Sequence, residues 1–169
     1  VTVTSINNTS TGVIKANMTT RNDAYGIYLV GGSIGTLINA GLISGSVGAD
    51  DRKGRGISLI SSSSINTLIN SGTITASAGE DTATGIMVTN SSTVGTITNS
   101  GTITVSAGDD DAYGIAVTTN SSVGTITNSG TITASAAASD AHGIFVDTNS
   151  SVGTITNSGT ITVSAGSTD

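Results

Sequence analysis

Apolar residues alternate with polar ones along nearly the whole chain, as in Thr125-Ile126-Thr127 and Thr131-Ile132-Thr133-Ala134, and nowhere recur at the spacing of a helix face. A period of two sends successive side chains to opposite faces of an extended segment, so the pattern predicts half-buried strands. The alternating runs come in threes: one starts at a Gly-Ile pair, one ends at an Asn, and one starts after an N-x-G turn. This set repeats. The pair stands at Gly26-Ile27, Gly56-Ile57, Gly85-Ile86, Gly114-Ile115 and Gly143-Ile144, and the Asn at Asn39, Asn70, Asn99, Asn128 and Asn157, a period of about 29 residues. The stretch VGTITNSGTIT is identical at residues 94–104, 123–133 and 152–162, with looser copies at 34–44 and 65–75.

A unit of this size with three short strands cannot bury its own inner face, so neighbouring units must stack into long parallel sheets around a shared core. The expectation is an all-β solenoid, a parallel β-helix with one coil per repeat. It comprises residues 1–169 as a single domain: a partial coil over 1–25, then five coils starting near Gly26, Gly56, Gly85, Gly114 and Gly143. Three columns should face inward: Ile27, Ile57, Ile86, Ile115 and Ile144; Leu37, Leu68, Ile97, Ile126 and Ile155; Ile43, Ile74, Ile103, Ile132 and Ile161. The corner asparagines should stack amide on amide and hydrogen-bond up the column, and Gly101, Gly130 and Gly159 should supply the permissive backbone of that corner. The chain opens on a degenerate half-coil and stops at Ser167-Thr168-Asp169, where another Gly-Ile would follow, so it reads as a segment of a longer solenoid or a unit that stacks end to end.

Composition narrows the function. Charged residues make up 9% and aromatics 2%, while hydrophobic residues reach 36%, so the buried interior is aliphatic and the chain lacks the polar mix of an ordinary enzyme. Five Lys and Arg against eleven Asp and Glu, a formal net charge of −6, argue against a nucleic-acid or anionic-membrane partner. The absence of Cys excludes disulfides and thiolate chemistry. No apolar run approaches the roughly 18 residues of a spanning helix.

The combination I-x-N-S-G-T-I-T, an acidic loop, then A-Y-G-I, as over residues 97–115, resembles the repeats of bacterial autotransporter passenger domains and related large surface adhesins. The resemblance covers nearly the whole chain. It implies a right-handed β-helix, export through the outer membrane, display at the cell surface, and a role in adhesion or autoaggregation. A full member would also carry a C-terminal translocator β-barrel, whose amphipathic strands are not in this sequence.

Candidate chemistry is sparse. The one His, His142, has no nucleophile motif beside it, and the serines sit in repeated contexts, so no catalytic residue is expected. Nine of the eleven acidic residues fall in the loop before Gly-Ile, and folding aligns them along one edge. Asp50, Asp51, Glu80, Asp81, Asp109, Asp110 and Asp111 are candidate calcium ligands there, since calcium accepts carboxylate oxygens flexibly. The alternative is a solvated, solubilising edge. Just before each Gly stands a variable residue, Tyr25, Arg55, Thr84, Tyr113 or His142, in a position the scaffold projects outward, where binding residues concentrate. T-x-T ranks such as Thr96 and Thr98 or Thr102 and Thr104 resemble ice-binding faces, or reflect the ordinary fitness of Thr for strands. Sequons at Asn7, Asn8, Asn17, Asn90, Asn120 and Asn149 follow from the composition.

The expected function is that of an extracellular structural and adhesive segment of a bacterial surface protein, with another copy, a host surface or a glycan as partner and no cofactor unless calcium. A self-stacking fibre or surface-layer subunit is the alternative, and an ice-binding solenoid a further one.

Overall fold

A computed structural model describes residues 1–19, 22–48, 51–147 and 149–166. The described residues form seventeen strands and no helix. Sheet A contains β1 (Thr2–Asn8), β4 (Ser33–Asn39), β7 (Ser64–Asn70), β10 (Thr93–Asn99), β13 (Ser122–Asn128) and β16 (Ser151–Asn157). Sheet B contains β2 (Val13–Met18), β5 (Leu42–Val47), β8 (Thr73–Ala78), β11 (Thr102–Ala107), β14 (Thr131–Ala136) and β17 (Thr160–Ala165). Sheet C has five strands: β3 (Ala24–Val30), β6 (Gly54–Ile60), β9 (Ala83–Val88), β12 (Ala112–Val117) and β15 (Ala141–Val146). Each strand pairs in parallel with the strand three places along the chain, so the chain winds as a solenoid of five three-strand turns plus two further strands.

Register follows the repeat. Ile97 pairs with Leu68 and Ile126, and Ile103 with Ile74 and Ile132, which stacks like on like about 4.8 Å apart. All three expected columns face inward and are fully buried through the middle coils. In the last coil two of these columns lie open, with Ile155 50% and Ile161 37% exposed, while Ile144 stays partly buried. Further inward columns complete the core: Ile34, Ile65, Val94 and Val123 in sheet A; Leu59, Val88 and Val117 in sheet C; and small residues such as Ala76, Val105 and Ala134 in sheet B.

The Gly of each Gly-Ile pair is explained by distance between walls. A Cβ on Gly85 would lie 2.6 Å from Ile103 Cγ2, and one on Gly56 2.5 Å from Ile74 Cγ2, so sheet C can approach sheet B only where no side chain intervenes.

Two polar ladders run along the solenoid, one from the first coil to the last and one from Ser63 to Ser150. Asn8, Asn39, Asn70, Asn99 and Asn128 each donate from Nδ2 to the Oδ1 of the next asparagine in the column at 2.7 Å, as expected. The glycines beside this corner do not serve as expected, because none of them has positive φ. They are needed for close approach: a Cβ on Gly101 or Gly130 would collide with the backbone of the coil below. Left-handed backbone occurs at the opposite corner, between sheets C and A, at Ser61 and Ser62, Asn90 and Ser91, and Thr119 and Asn120. There the second ladder forms, the backbone N–H groups of Ser63, Ser92 and Ser121 donating to the hydroxyls of Ser92, Ser121 and Ser150. Asn90 and Asn120 are thus asparagines suited to left-handed backbone, at different places relative to the rung, which is Ser92 two residues after Asn90 and Ser121 directly after Asn120.

Candidate functional site

Because Gly and Ile of each pair both face the core, the residues before and after them point outward. Sheet C therefore carries two outward ladders. One is the expected series Tyr25, Arg55, Thr84, Tyr113 and His142, and the other is Tyr28, Ser58, Met87, Ala116 and Phe145. The three Tyr, the one Phe and the one His of the whole chain all lie on this face. The second ladder escaped the sequence reading. Its signal was present, since the residue two places after Gly varies as widely as the residue before it.

The rings form two groups. At β3, Tyr25 and Tyr28 stack with centroids 4.3 Å apart, and the Arg55 guanidinium lies 5.7 Å from the Tyr25 ring. At β12 and β15, Tyr113 and His142 stack at 5.2 Å, with Phe145 tilted against both at 4.9 Å. Between the groups sit smaller side chains, and Ser58 and Thr84 are completely buried. Ser58 Oγ, Thr84 Oγ1 and Arg55 Nε are buried without a hydrogen-bond partner among the described residues. A buried polar group left unmatched costs about 1–3 kcal/mol, so three on one face are a concentrated debt.

The acidic loops border this face. Asp23 accepts hydrogen bonds from the Tyr25 hydroxyl at 2.6 Å and the Lys53 N–H at 3.0 Å. Asp111 accepts from the hydroxyls of Tyr113 and Ser139, both at 2.6 Å, and from the Asp140 N–H at 3.1 Å. Asp110 accepts from the Thr82 hydroxyl and the Asp111 N–H, and Asp81 from the Thr82 N–H. Carboxylates thus tie adjacent loops together and orient two of the rings. Among the described residues no three His, Asp or Glu side chains converge where they could hold a metal ion. Of the seven candidate calcium ligands Asp50 lies outside the described residues, and Asp51, Glu80 and Asp109 are exposed.

Burial pushes the carboxyl of Asp23 up, but the hydrogen bonds from Tyr25 and Lys53 and the charges of Arg55 and Lys53 outweigh it and hold its pKa below the ordinary value. Asp111 behaves likewise: burial raises it, and the hydrogen bonds from Ser139, Tyr113 and Asp140, with His142 nearby, lower it further than burial raises it. Burial and the hydrogen bonds to these carboxylates raise Tyr25 and Tyr113 well above the usual phenol range.

Charge is divided along the solenoid. Lys15, Arg21, Arg52, Lys53 and Arg55, every cation of the chain apart from His142 and the terminus, precede residue 56, whereas eight of the eleven acidic residues follow it. The other two outward faces are uniform by comparison, with Thr96 beside Thr67 and Thr125 on sheet A and Thr104 beside Thr75 and Thr133 on sheet B. Set against known protein families, curated proteins and solved structures, the chain matches none.

Proposed function

We propose that the chain is a structural and adhesive β-solenoid segment of an extracellular bacterial surface protein, which adheres or self-associates through the outward face of sheet C. The observation that carries this reading is the gathering of every aromatic ring and the one His on that face, while the interior and the other two faces repeat with little change. Aromatic and Arg side chains are the residue types that dominate interface energetics, and a rigid scaffold holding a varied surface is the usual arrangement for recognition. The repeat's resemblance to surface adhesins supports the same setting.

End-to-end stacking into a fibre has its own supporting observation, the open ends of the core columns at Ile155, Ile161 and Val163. Association through sheet C is the favoured reading, because the stacked rings, Arg55 and the divided charge all lie on or beside that one face.

The test is aggregation of microbeads coated with the purified chain, scored against beads carrying Tyr28→Ser with Phe145→Ser. Wild-type beads should clump and variant beads disperse. Equal clumping, or none with the wild type, contradicts the reading.

A further inference from the structure

The middle strand of sheet C is β9, and the charge beside the sheet reverses across it. On one side, Arg52, Lys53 and Arg55 make the loop and start of β6 net positive even with Asp50 and Asp51 beside them; on the other, the loop before β12 is Asp109, Asp110 and Asp111. We propose that two copies of this chain dock face to face through sheet C, their solenoid axes antiparallel, about a two-fold axis running along β9. This rests on the self-association reading above and specifies its partner and register.

The symmetry dictates what meets what. Rotation about an axis along β9 preserves strand direction and reverses strand order, so β6 faces the partner copy's β12, β3 faces its β15, and β9 faces itself. A closed two-fold interface uses the same patch on both copies, and this patch is complementary to its own reverse. Each basic β6 edge meets an Asp109–Asp111 loop, and the contact occurs twice. Arg55 comes opposite a Tyr113 ring, a cation–π arrangement, and the Asp111 carboxylate that holds the Tyr113 hydroxyl lies beside that ring. Tyr28 comes opposite Phe145. Like charges meet at the centre, where Glu80 and Asp81 face their own copies, and at each end, where Asp23 comes opposite Asp140. With the axes parallel, strand direction would reverse and each Asp109–Asp111 loop would lie opposite the far ends of the partner's strands, away from its basic β6 edge, so the charge pairing is made only in the antiparallel arrangement.

Charge exchange tests this in the full chain. Arg52→Glu with Lys53→Glu makes both halves of the face acidic; Asp109→Lys with Asp110→Lys makes both basic. Sedimentation velocity at low salt, with circular dichroism to verify strand content, should show a dimer for the wild type. Each variant alone should associate at least tenfold more weakly, and an equimolar mixture should restore dimers, because each acidic half then faces a basic one. A wild type that stays monomeric overturns both this inference and the reading beneath it. A wild type that associates while the mixture fails to recover, or while the variants alone match it, overturns the two-fold register and leaves self-association standing.

Discussion

Sheets A and C share one interior and differ outside. Both contribute fully buried aliphatic columns, Leu68, Ile97 and Ile126 from sheet A and Ile57, Ile86 and Ile115 from sheet C. Outside, sheet A repeats Thr67, Thr96 and Thr125, whereas the matching strands of sheet C carry Arg55, Thr84 and Tyr113. Stacking in register rewards repetition only where a side chain meets its own kind across the coils, and that demand is strictest in the interior. An outward position escapes it. The variation tolerated there has gathered rings, a guanidinium and carboxylates on one face, and the same backbone that requires sameness within presents difference without.

This contrast can be broken from the inside with the largest effect. Ile126→Asp places a carboxylate among Ile and Val side chains with no partner, a cost of several kcal/mol, and is expected to leave the chain insoluble or unfolded by circular dichroism. Next comes the amide ladder. Asn99→Ala removes both the acceptor of Asn70 Nδ2 and the donor to Asn128 Oδ1; stranding buried amides should cost about 2–3 kcal/mol, read as a lowered urea midpoint with unchanged slope. On the outward face the ordering inverts. Tyr28→Ser with Phe145→Ser should cost less than the amide change, about 1–2 kcal/mol, since Tyr28 is half exposed and Phe145 only partly buried, while bead aggregation is lost.

The smallest expected effect is on pH. Because the folded pKa of Asp23 and Asp111 lies below the unfolded value, their contribution is present above about pH 4 and is lost as pH falls through the folded values. Tyr25 and Tyr113 are raised, so their contribution is present below about pH 10 and is lost as pH rises beyond it. Melting temperature should decline at both ends, and Asp111→Asn with Tyr113→Phe should flatten both declines.

The interior was legible because every constraint on it appears many times. Ile97, Ile126 and Ile155 occupy identical sequence contexts, so one alternation sets the facing of a whole column, and the asparagine ladder follows from an amide recurring at a fixed interval. The serine ladder at Ser63, Ser92 and Ser121 was not legible, since serine abounds throughout and only the paired left-handed residues before each rung turn that hydroxyl inward. The role of Gly101 was also misjudged, because crowding from the coil below is a property of stacking and leaves no mark within a single repeat. On sheet C the Tyr28 and Phe145 ladder follows from simple alternation beyond each inward Ile and was overlooked, whereas the Tyr25 and Tyr113 ladder points outward because Gly and Ile both face inward. That doubled inward step breaks the simple alternation and shows only in three dimensions.

The most direct measurement blocks one outward face at a time. In a chain without Cys, Thr98→Cys, Thr104→Cys and Tyr28→Cys each place one thiol, on sheets A, B and C respectively, and each can be capped with a bulky polyethylene glycol maleimide. Bead aggregation should survive capping at Thr98→Cys and Thr104→Cys and be abolished by capping at Tyr28→Cys. Aggregation that persists with sheet C capped, and stops when a threonine face is capped, would contradict the assignment of the interaction surface to sheet C.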